Sequence, residues 1–194
     1  MDHLKAVINS ILPMPDQDLE RIVPLINCIA VPKKSWLLQQ GQVCKYVYFL
    51  TRGIFRMYYV DLEGNEINCR FTTKNNFLVD FQSFLSQQQS RYYWQAMEDS
   101  ELMAFRYEDV QQLYLQSISW EKFGRLIAER VYQQLNERIE MLQFLSPEKR
   151  YLHLMQTRPE LFSQVSQFHI ASYLGIKPES LSRLRKRLSI NKRS

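Results

Sequence analysis

The sequence predicts an α+β fold: an N-terminal antiparallel β-roll with flanking helices, a long helix, and a C-terminal pair of short helices. Three observations predict it. Short aromatic and β-branched runs lie between Ser35 and Arg106 and are separated by glycine turns. A helical pattern of apolar residues then extends from about Trp120 to Phe144. After it, an apolar helix, a glycine and a basic helix follow one another from Gln167 to Leu188.

Two short helices are predicted ahead of the strands. The first residues form an amphipathic helix that ends near Pro13 and Pro15. Asp16 to Ile29 is predicted as a second helix, because apolar residues recur there at helical spacing: Leu19, Ile22, Val23 and Ile26.

Six short strands are predicted next. They cover residues 36–38, 46–50, 54–60, 67–71, 92–97 and 101–106. Gly41 and Gly53 mark tight turns, and Gly64 supplies the positive φ of a hairpin loop. Residues 75–90 are predicted to be less regular. Strands at this spacing, with no helix between them, predict an antiparallel roll or barrel.

Helix is predicted again at Tyr107–Leu115 and then over the long stretch that ends at Phe144. The apolar stripe of the long helix is wider than packing within one domain requires, so part of it can pack on a second copy of the chain. Arg138 would interrupt a regular coiled-coil seam, and an ordinary helix buried within a monomer is the alternative. The predicted dimer contacts are Ile127, Val131, Leu135, Ile139 and Leu142.

A new helix is predicted to start at Ser146, because Ser at the N-cap and Pro147 in the first turn are both typical of helix starts. This start gives three predicted parts: a β-roll effector-type domain over residues 1–119, a long dimerisation helix over 120–145, and a C-terminal helical domain over 146–194.

Residues 167–188 have the pattern of a helix-turn-helix. Apolar residues share one face of the first helix, and Gly175 can take the left-handed conformation that ends it. Ile176 is predicted to fill the corner, and Pro178 begins the second helix. The buried stripe of that helix is predicted to be Leu181, Leu184 and Leu188.

The exposed first half of the second helix carries Glu179, Ser182 and Arg183, which project together at positions i, i+3 and i+4. A recognition helix inserts this half into the major groove of DNA, where Arg can bond bidentately to guanine and Glu can accept from cytosine. A solvated helical hairpin, whose charges serve only solubility, is the alternative.

Positive charge is concentrated in the same region. Residues 146–194 hold ten Lys+Arg against three Asp+Glu, while residues 1–145 hold fifteen against seventeen, within a total net charge of +5. A local basic excess suits double-stranded DNA, although RNA is not excluded by charge alone. The predicted phosphate contacts are Lys177, Ser180, Arg185, Lys186, Arg187, Lys192 and Arg193.

Several functional classes are not supported. Over 194 residues there is no apolar run long enough to span a membrane, so a cytoplasmic protein is expected. Cys28, Cys44 and Cys69 lack the spacing of a disulfide framework, zinc site or iron–sulfur cluster, so no metal or cofactor is predicted. No nucleophile elbow, phosphate-binding glycine loop or His-Glu-x-x-His motif occurs, so no enzyme activity is expected.

A strand roll, a long helix and a helix-turn-helix, in this order, resemble the Crp-Fnr family of bacterial transcription regulators over nearly the whole chain. The resemblance is carried by Ile170–Leu188, by Tyr48–Gly53 and by Ala96–Glu101, and Ile170–Arg183 is similar to the branch common in Bacteroidetes. It implies a cupin-like, cyclic-nucleotide-binding-like roll and a homodimer on a two-fold symmetric operator. RNA polymerase and an unidentified small effector are further partners that it implies.

The Fnr-like branch of this family contacts bases through a Glu-x-x-Ser-Arg set. Glu179, Ser182 and Arg183 match that set position by position, which implies that a dimer reads a TGA-type half-site twice. The family usually continues into a β-hairpin wing, whereas only six residues follow Leu188, so the wing is expected to be truncated.

The effector region departs from the cyclic-nucleotide-binding members, which carry Gly-Glu for the ribose and Arg-Ser or Arg-Thr for the phosphate. This chain has Val79-Asp80 and, later, Ser90-Arg91-Tyr92. Arg91 lies one residue later than the Arg of those members, and a one-residue shift on a strand turns a side chain to the opposite face, unless a loop of different length brings it back. Val79 adds a branched side chain where the backbone must approach a phosphate. Cyclic AMP binding is therefore expected to be weak or absent. The same five residues are the candidate pocket for another effector, unless aromatic side chains fill it: Phe81, Phe84, Tyr92 and Trp94.

The leading prediction is thus a homodimeric, sequence-specific DNA-binding transcription regulator that does not respond to cyclic AMP. The alternative is a ligand-gated sensor, whose roll binds a nucleotide or other small effector that controls DNA binding.

Overall fold

The computed structural model describes the backbone of residues 1–191 and the side chains of residues 1–188. By packing, the chain divides into two compact units. The first comprises Met1–Val60 and Cys69–Arg130, and the second comprises Asp61–Asn68 and Val131–Ser194. The three functional parts predicted from the sequence, divided after residues 119 and 145, remain a prediction.

Two four-stranded sheets form the predicted antiparallel β-roll. In the first sheet the order is β1, β8, β3, β6: Asn27–Val31, Ser100–Arg106, Tyr46–Arg52 and Asn76–Leu78. In the second the order is β2, β7, β4, β5: Trp36–Leu38, Tyr93–Ala96, Ile54–Val60 and Glu66–Thr73. The six strands predicted from alternation and turns are all confirmed, each within two residues at either end.

The core of the roll lies between the sheets. Burial alternates along β7, where Trp94 and Ala96 are inside, because successive side chains of a strand point to opposite faces. Trp94 packs in one apolar cluster with residues of both sheets, among them Phe55, Leu78 and Leu102. Fully burying side chains of this size contributes about 1.5–3 kcal/mol each, which makes this cluster a main source of the roll's stability.

Helices flank the roll. In the first unit these are α1 (Asp2–Ile11), α2 (Asp16–Glu20), α3 (Phe81–Ser86), α4 (Tyr107–Gln116) and the start of α5 (Ile118–Phe144). A second apolar cluster joins α1 to β3, β8 and α5 through residues that include Leu4, Ile8, Phe49, Phe105, Trp120 and Phe123. The second unit holds the end of α5 and then α6 (Pro147–Thr157), α7 (Leu161–Gln164), α8 (Gln167–Leu174) and α9 (Pro178–Asn191). The predicted long helix and the helix starting after Ser146 are confirmed.

The helix predicted over Asp16–Ile29 is wrong. Helix α2 ends at Glu20, a single 3-10 turn covers Val23–Leu25, and Asn27–Val31 is strand β1. Pro24 has no N–H to continue a helical hydrogen-bond ladder, and β1 instead pairs with β8, which follows it by some seventy residues. Residues 75–90, predicted to be less regular, contain β6 and α3.

Among residues 1–191, no helix is both long enough and apolar enough to cross a lipid bilayer.

Gly53 is a position where a side chain would be excluded. Its φ is +106°, and an added Cβ would lie 2.1 Å from Ser100 Oγ and 2.9 Å from Ser100 Cα. We expect Gly53→Ala to lower the free energy of unfolding by about 2–5 kcal/mol, since backbone strain and overpacking add. Urea unfolding, monitored by circular dichroism, measures this change in the free energy of unfolding.

The matched control is Gly41→Ala. Gly41 also has positive φ, +87°, but an added Cβ there would meet no atom within 4 Å. Because only the backbone strain applies at Gly41, the free energy of unfolding should fall by about 1–2 kcal/mol. Equal losses at the two positions would contradict the steric explanation.

Candidate DNA-binding surface and effector region

The two faces of α9 are clearly separated. Leu181 and Leu184 are 1% and 8% exposed and pack inward, whereas Glu179, Ser182 and Arg183 are exposed on the other side. Leu188 is half-buried. The structure therefore brings the three predicted base-reading side chains together on the outer surface of the first half of the helix. Within the described residues, one side-chain hydrogen bond links these three residues to a neighbour. Arg183 Nη2 donates to Ser180 Oγ at 3.4 Å.

The turn that positions α9 depends on Gly175. Its φ and ψ are +66° and +38°, as predicted for a left-handed residue. The N–H of Ile176 donates to Ala171 O at 3.0 Å, and that of Gly175 donates to Ser172 O at 3.1 Å, which is the Schellman pattern. These bonds satisfy the last carbonyls of α8 and turn the chain sharply into α9.

Helix α8 packs against α6, α7 and α9. Its inner face consists of Ile170, Ala171 and Leu174, each at most 1% exposed. Ser166 caps the start of the helix, since its Oγ accepts from the N–H of His169. The helix-pair geometry thus rests on an apolar core and on satisfied helix ends.

Two arginines hold the end of α8, and no local sequence pattern indicates either role. Arg138 of α5 donates from Nη2 to Tyr173 O, and its guanidinium lies 4.0 Å from the centre of the Tyr173 ring. Arg150 of α6 donates from Nη1 to Leu174 O at 2.6 Å and from Nε to Leu145 O at 3.0 Å. Positive charge at a helix C-terminus is favourable, so both arginines fix the orientation of α8.

The tip of the β4–β5 hairpin, Asp61–Asn68, belongs to the same unit as α8. Ser172 Oγ donates to Glu66 O at 2.9 Å and accepts from the N–H of Asn68 at 3.0 Å. The Asn68 amide nitrogen also lies 3.3 Å from His169 Nδ1. These contacts join residues more than a hundred positions apart, so no local sequence pattern indicates them.

The basic residues predicted to contact phosphates are exposed on and beside α9. Lys177, Arg185, Lys186 and Arg187 are exposed, whereas Ser180 is half-buried. Arg187 forms an ion pair with Glu148 of α6. Lys192 and Arg193 lie outside the described residues.

The five residues of the predicted effector pocket do not share one surface. Val79, Asp80 and Ser90 are 7%, 5% and 4% exposed, Tyr92 is half-buried and Arg91 is exposed. Asp80 is the N-cap of α3: its Oδ1 accepts from the N–H of Ser83, and its Oδ2 accepts from Ser90 Oγ at 2.6 Å. The Asp80 carboxylate therefore occupies the start of α3. It also bonds Ser90, which lies between α3 and β7.

A cavity of about 450 Å³ lies elsewhere in the roll, and of the five predicted residues only Val79 lines it. Phe84 and Trp94 are fully buried, and Phe81 packs against their cluster, so these predicted aromatics do fill core space. The cavity is lined by Leu37, Leu38, Gln42, Val43, Cys44, Lys45, Tyr46, Tyr48, Leu78, Val79 and Trp94.

The outer stripe of α5 changes along its length. Ile127 and Val131 are half-buried within the chain, but Leu135, Ile139 and Leu142 are 50%, 51% and 40% exposed. Large apolar side chains on one helix face are a common feature of protein interfaces.

Within the described residues, no three His, Cys, Asp or Glu side chains are placed to hold a metal ion.

A two-sheet roll, one long helix and a terminal pair of helices joined by a glycine turn define a class: a cyclic-nucleotide-binding-like domain followed by a small helical domain. Residues 28–117 match the family described as the cyclic nucleotide-binding domain. No curated protein matches the chain by sequence.

Solved structures of transcription regulators share the fold of nearly the whole chain. FixK2 from Bradyrhizobium japonicum has a TM-score of 0.74 at 16% identity, covering 86% of each chain. The c-di-GMP-responsive global regulator CLP from Xanthomonas campestris has a TM-score of 0.71 at 19% identity, covering 92% of this chain and 93% of that one. The Catabolite Activator Protein from Thermus thermophilus has a TM-score of 0.60 at 18% identity, covering 96% of this chain and 88% of that one. The predicted resemblance to the Crp-Fnr regulators is confirmed for the fold.

Ser172→Ala tests the contact between α8 and the hairpin tip. The variant removes the hydroxyl that bonds the Glu66 carbonyl and the Asn68 N–H, so the free energy of unfolding should fall by about 1–3 kcal/mol. Urea unfolding measures the loss, and faster hydrogen exchange at the Asn68 amide locates it.

Ser163→Ala is the control, because Ser163 is exposed and its hydroxyl bonds only the Glu160 carbonyl of its own turn. Its effect should stay within about 0.5 kcal/mol. Unchanged exchange at Asn68 in Ser172→Ala would mean that the contact contributes nothing to stability.

Proposed function

We propose that this protein is a sequence-specific DNA-binding transcription regulator that acts as a homodimer in the cytoplasm. The observation that carries the proposal is the exposure of Glu179, Ser182 and Arg183 on one side of α9, opposite the buried Leu181 and Leu184. A recognition helix needs this division, because one face must pack on its own domain while the other reads base edges.

The three base-reading side chains have complementary chemistry. The Arg183 guanidinium can donate two parallel hydrogen bonds to O6 and N7 of guanine, and the Glu179 carboxylate can accept from N4 of cytosine. Ser182 lies between them in sequence and can donate or accept. The bond from Arg183 to Ser180 is long, at 3.4 Å, so little is lost when the guanidinium turns to a base.

Basic residues around α9 supply affinity for the phosphate backbone. Arg187 would exchange its Glu148 partner for a phosphate, and a surface ion pair of this kind contributes only about 0–1 kcal/mol to stability. We assign phosphate contacts to Lys177, Ser180, Arg185, Lys186, Arg187, Lys192 and Arg193.

The dimer is formed through α5. Leu135, Ile139 and Leu142 expose an apolar stripe whose earlier members, Ile127 and Val131, are half-buried. Pairing of two such stripes about a two-fold axis would bury them and place two copies of α9 on half-sites about one helical turn apart. RNA polymerase is an expected partner of such a regulator.

The regulator does not respond to cyclic AMP. Asp80 places a negative charge at the start of α3 and holds Ser90, while Arg91, which would have to neutralise a phosphate, is exposed. A phosphate beside this carboxylate would be repelled rather than bound.

A ligand-gated sensor is the second candidate function, favoured by the cavity of about 450 Å³ in the roll. The two candidates differ in whether the ligand-free protein already binds its operator. Footprinting of genomic DNA with purified protein, with and without candidate effectors, reports the site, its symmetry and any ligand dependence.

Arg183→Ala and Lys186→Ala separate base reading from phosphate binding. Arg183→Ala should cost about 1–3 kcal/mol at the cognate operator and relax the preference at one base pair. Lys186→Ala should weaken binding to all DNA sequences similarly. It should also reduce the slope of the logarithm of the binding constant against the logarithm of the salt concentration by about 1. Fluorescence anisotropy with operator variants measures both, and identical profiles for the two variants would contradict the assignment.

Ile139→Glu tests the dimer. Because Ile139 is 51% exposed, the charge leaves the fold of one chain intact but prevents burial of the stripe against a second copy. Sedimentation velocity should give a dimer for the wild type and a monomer for the variant. Gln133→Glu, an exposed position on the opposite side of α5, is the control and should remain a dimer. A monomeric wild type would rule out this interface.

Calorimetry with cyclic AMP tests the missing response. We expect no measurable heat of binding to the wild-type protein, for the electrostatic reason given above. Tight binding would overturn the assignment of Asp80 and Arg91.

A further inference from the structure

The end of α8 is held by side chains from two other helices. The last four carbonyls of a helix have no partner within that helix. In α8, backbone N–H groups of the turn donate to the first two of them, in the Schellman pattern. Arg138 of α5 and Arg150 of α6 donate to the last two, Tyr173 O and Leu174 O. All of these residues belong to the second unit.

Arg150 connects the ends of two helices. Its Nε–H donates at 3.0 Å to Leu145 O, just past the end of α5, and its Nη1–H donates at 2.6 Å to Leu174 O, in the last residue of α8. A guanidinium is planar and its donors form a rigid fork, so the two carbonyls are held at a set separation. The ammonium of a lysine is a point charge on a flexible stem and cannot reproduce this bridge.

Arg138 adds a second link from α5 to α8. Its side chain bonds Tyr173 O, and its guanidinium lies 4.0 Å from the centre of the Tyr173 ring. The turn leaves room for these contacts, because a Cβ on Gly175 would lie only 3.1 Å from Arg150 Nη1 and 3.4 Å from Leu142 Cδ2. Arg138 and Arg150 are called the arginine clamp below.

The arginine clamp joins two parts of the second unit that have different roles in the proposed function. The end of α8 leads through Gly175 into α9, which carries the base-reading side chains. In a symmetric dimer, the direction of α9 relative to α5 sets the distance between the two copies of α9, and this distance sets the spacing of the half-sites. The end of α5 carries the exposed stripe through which the proposed dimer forms: Leu135, Ile139 and Leu142.

We propose that the arginine clamp determines which half-site spacing the protein accepts, because it fixes α8 and α9 on the end of α5. This inference rests on the proposed function, a dimer that reads two half-sites. Arg138 and Arg150 are positioning residues, since they act through α9. The preference for particular bases within each half-site remains with Glu179, Ser182 and Arg183.

Operators with altered spacers are the test. A two-fold symmetric operator is first selected from random-sequence DNA with the wild-type protein, and one base pair is then added to or removed from its spacer. That change moves one half-site by about 3.4 Å along the duplex and about 34° around it. Fluorescence anisotropy should show wild-type affinity falling by about tenfold or more, because base contacts in one half-site are lost.

Arg150→Lys is the main variant, because it keeps the positive charge but loses the bridge. Its affinity for the selected operator should fall by about tenfold, since α8 and α9 must then be oriented on binding. The altered spacers should cost it no more than about threefold relative to the selected spacing. Single-base changes within a half-site should be discriminated as they are by the wild type.

Two further variants make the comparison specific. Arg138→Lys should relax the spacing preference in the same way, because its ring contact and its carbonyl bond both depend on the guanidinium. Arg125→Lys is the matched control. Arg125 is also on α5, but it is exposed and pairs with Glu129 within its own helix, so the wild-type spacing preference should remain.

The outcomes separate this inference from the function on which it rests. A wild type that selects no two-half-site operator overturns both. If the wild type selects one and Arg150→Lys keeps its spacing preference, the clamp proposal alone is overturned, whichever way Arg138→Lys behaves. A merely structural role would reduce binding to every spacing by the same factor and would also overturn it. Sedimentation velocity should give a dimer for Arg150→Lys, and a monomer would assign the residue to dimerisation instead.

Discussion

The continuity of α5 is the constraint on which both compact units depend. Its residues up to Arg130 belong to the first unit, and those from Val131 belong to the second. Near its start Trp120 is buried and bonded to the Asp18 carbonyl, while near its end Met141 is buried. One helix must therefore present apolar side chains to different neighbours in turn, and this explains why its apolar stripe is broad and does not follow a regular heptad.

Much of the fold could be predicted from the sequence, because its signals are local. Alternation and turn glycines located the six strands, and helical spacing separated the buried and exposed faces of α9. The same signals failed at Asp16–Ile29, where an apolar pattern compatible with helix ends in a strand. Its partner β8 comes later in the chain, and pairing across that distance outweighed local propensity.

The candidate sites could be predicted only in part, for the same reason. Exposure of Glu179 and Arg183 follows from helix periodicity, so sequence and structure agree there. The cavity beside Trp94 and the anchoring of α8 by Arg150 arise from side chains that distant segments bring together. In the effector region, the sequence indicated an altered pocket, but the bond of the Asp80 carboxylate to Ser90 and its place at the start of α3 follow from the tertiary structure.

The hairpin tip bound to α8 has a consequence for how the molecule is made. Asn68 and Ser172 are separated by 104 positions, and contacts this distant in sequence close a large loop at an entropic cost and slow folding. On the ribosome, the tip emerges well before α8 exists, so the second unit cannot be completed until α8 has been synthesised. A fragment beginning at Val131 would have every helix of that unit yet still lack one of its parts.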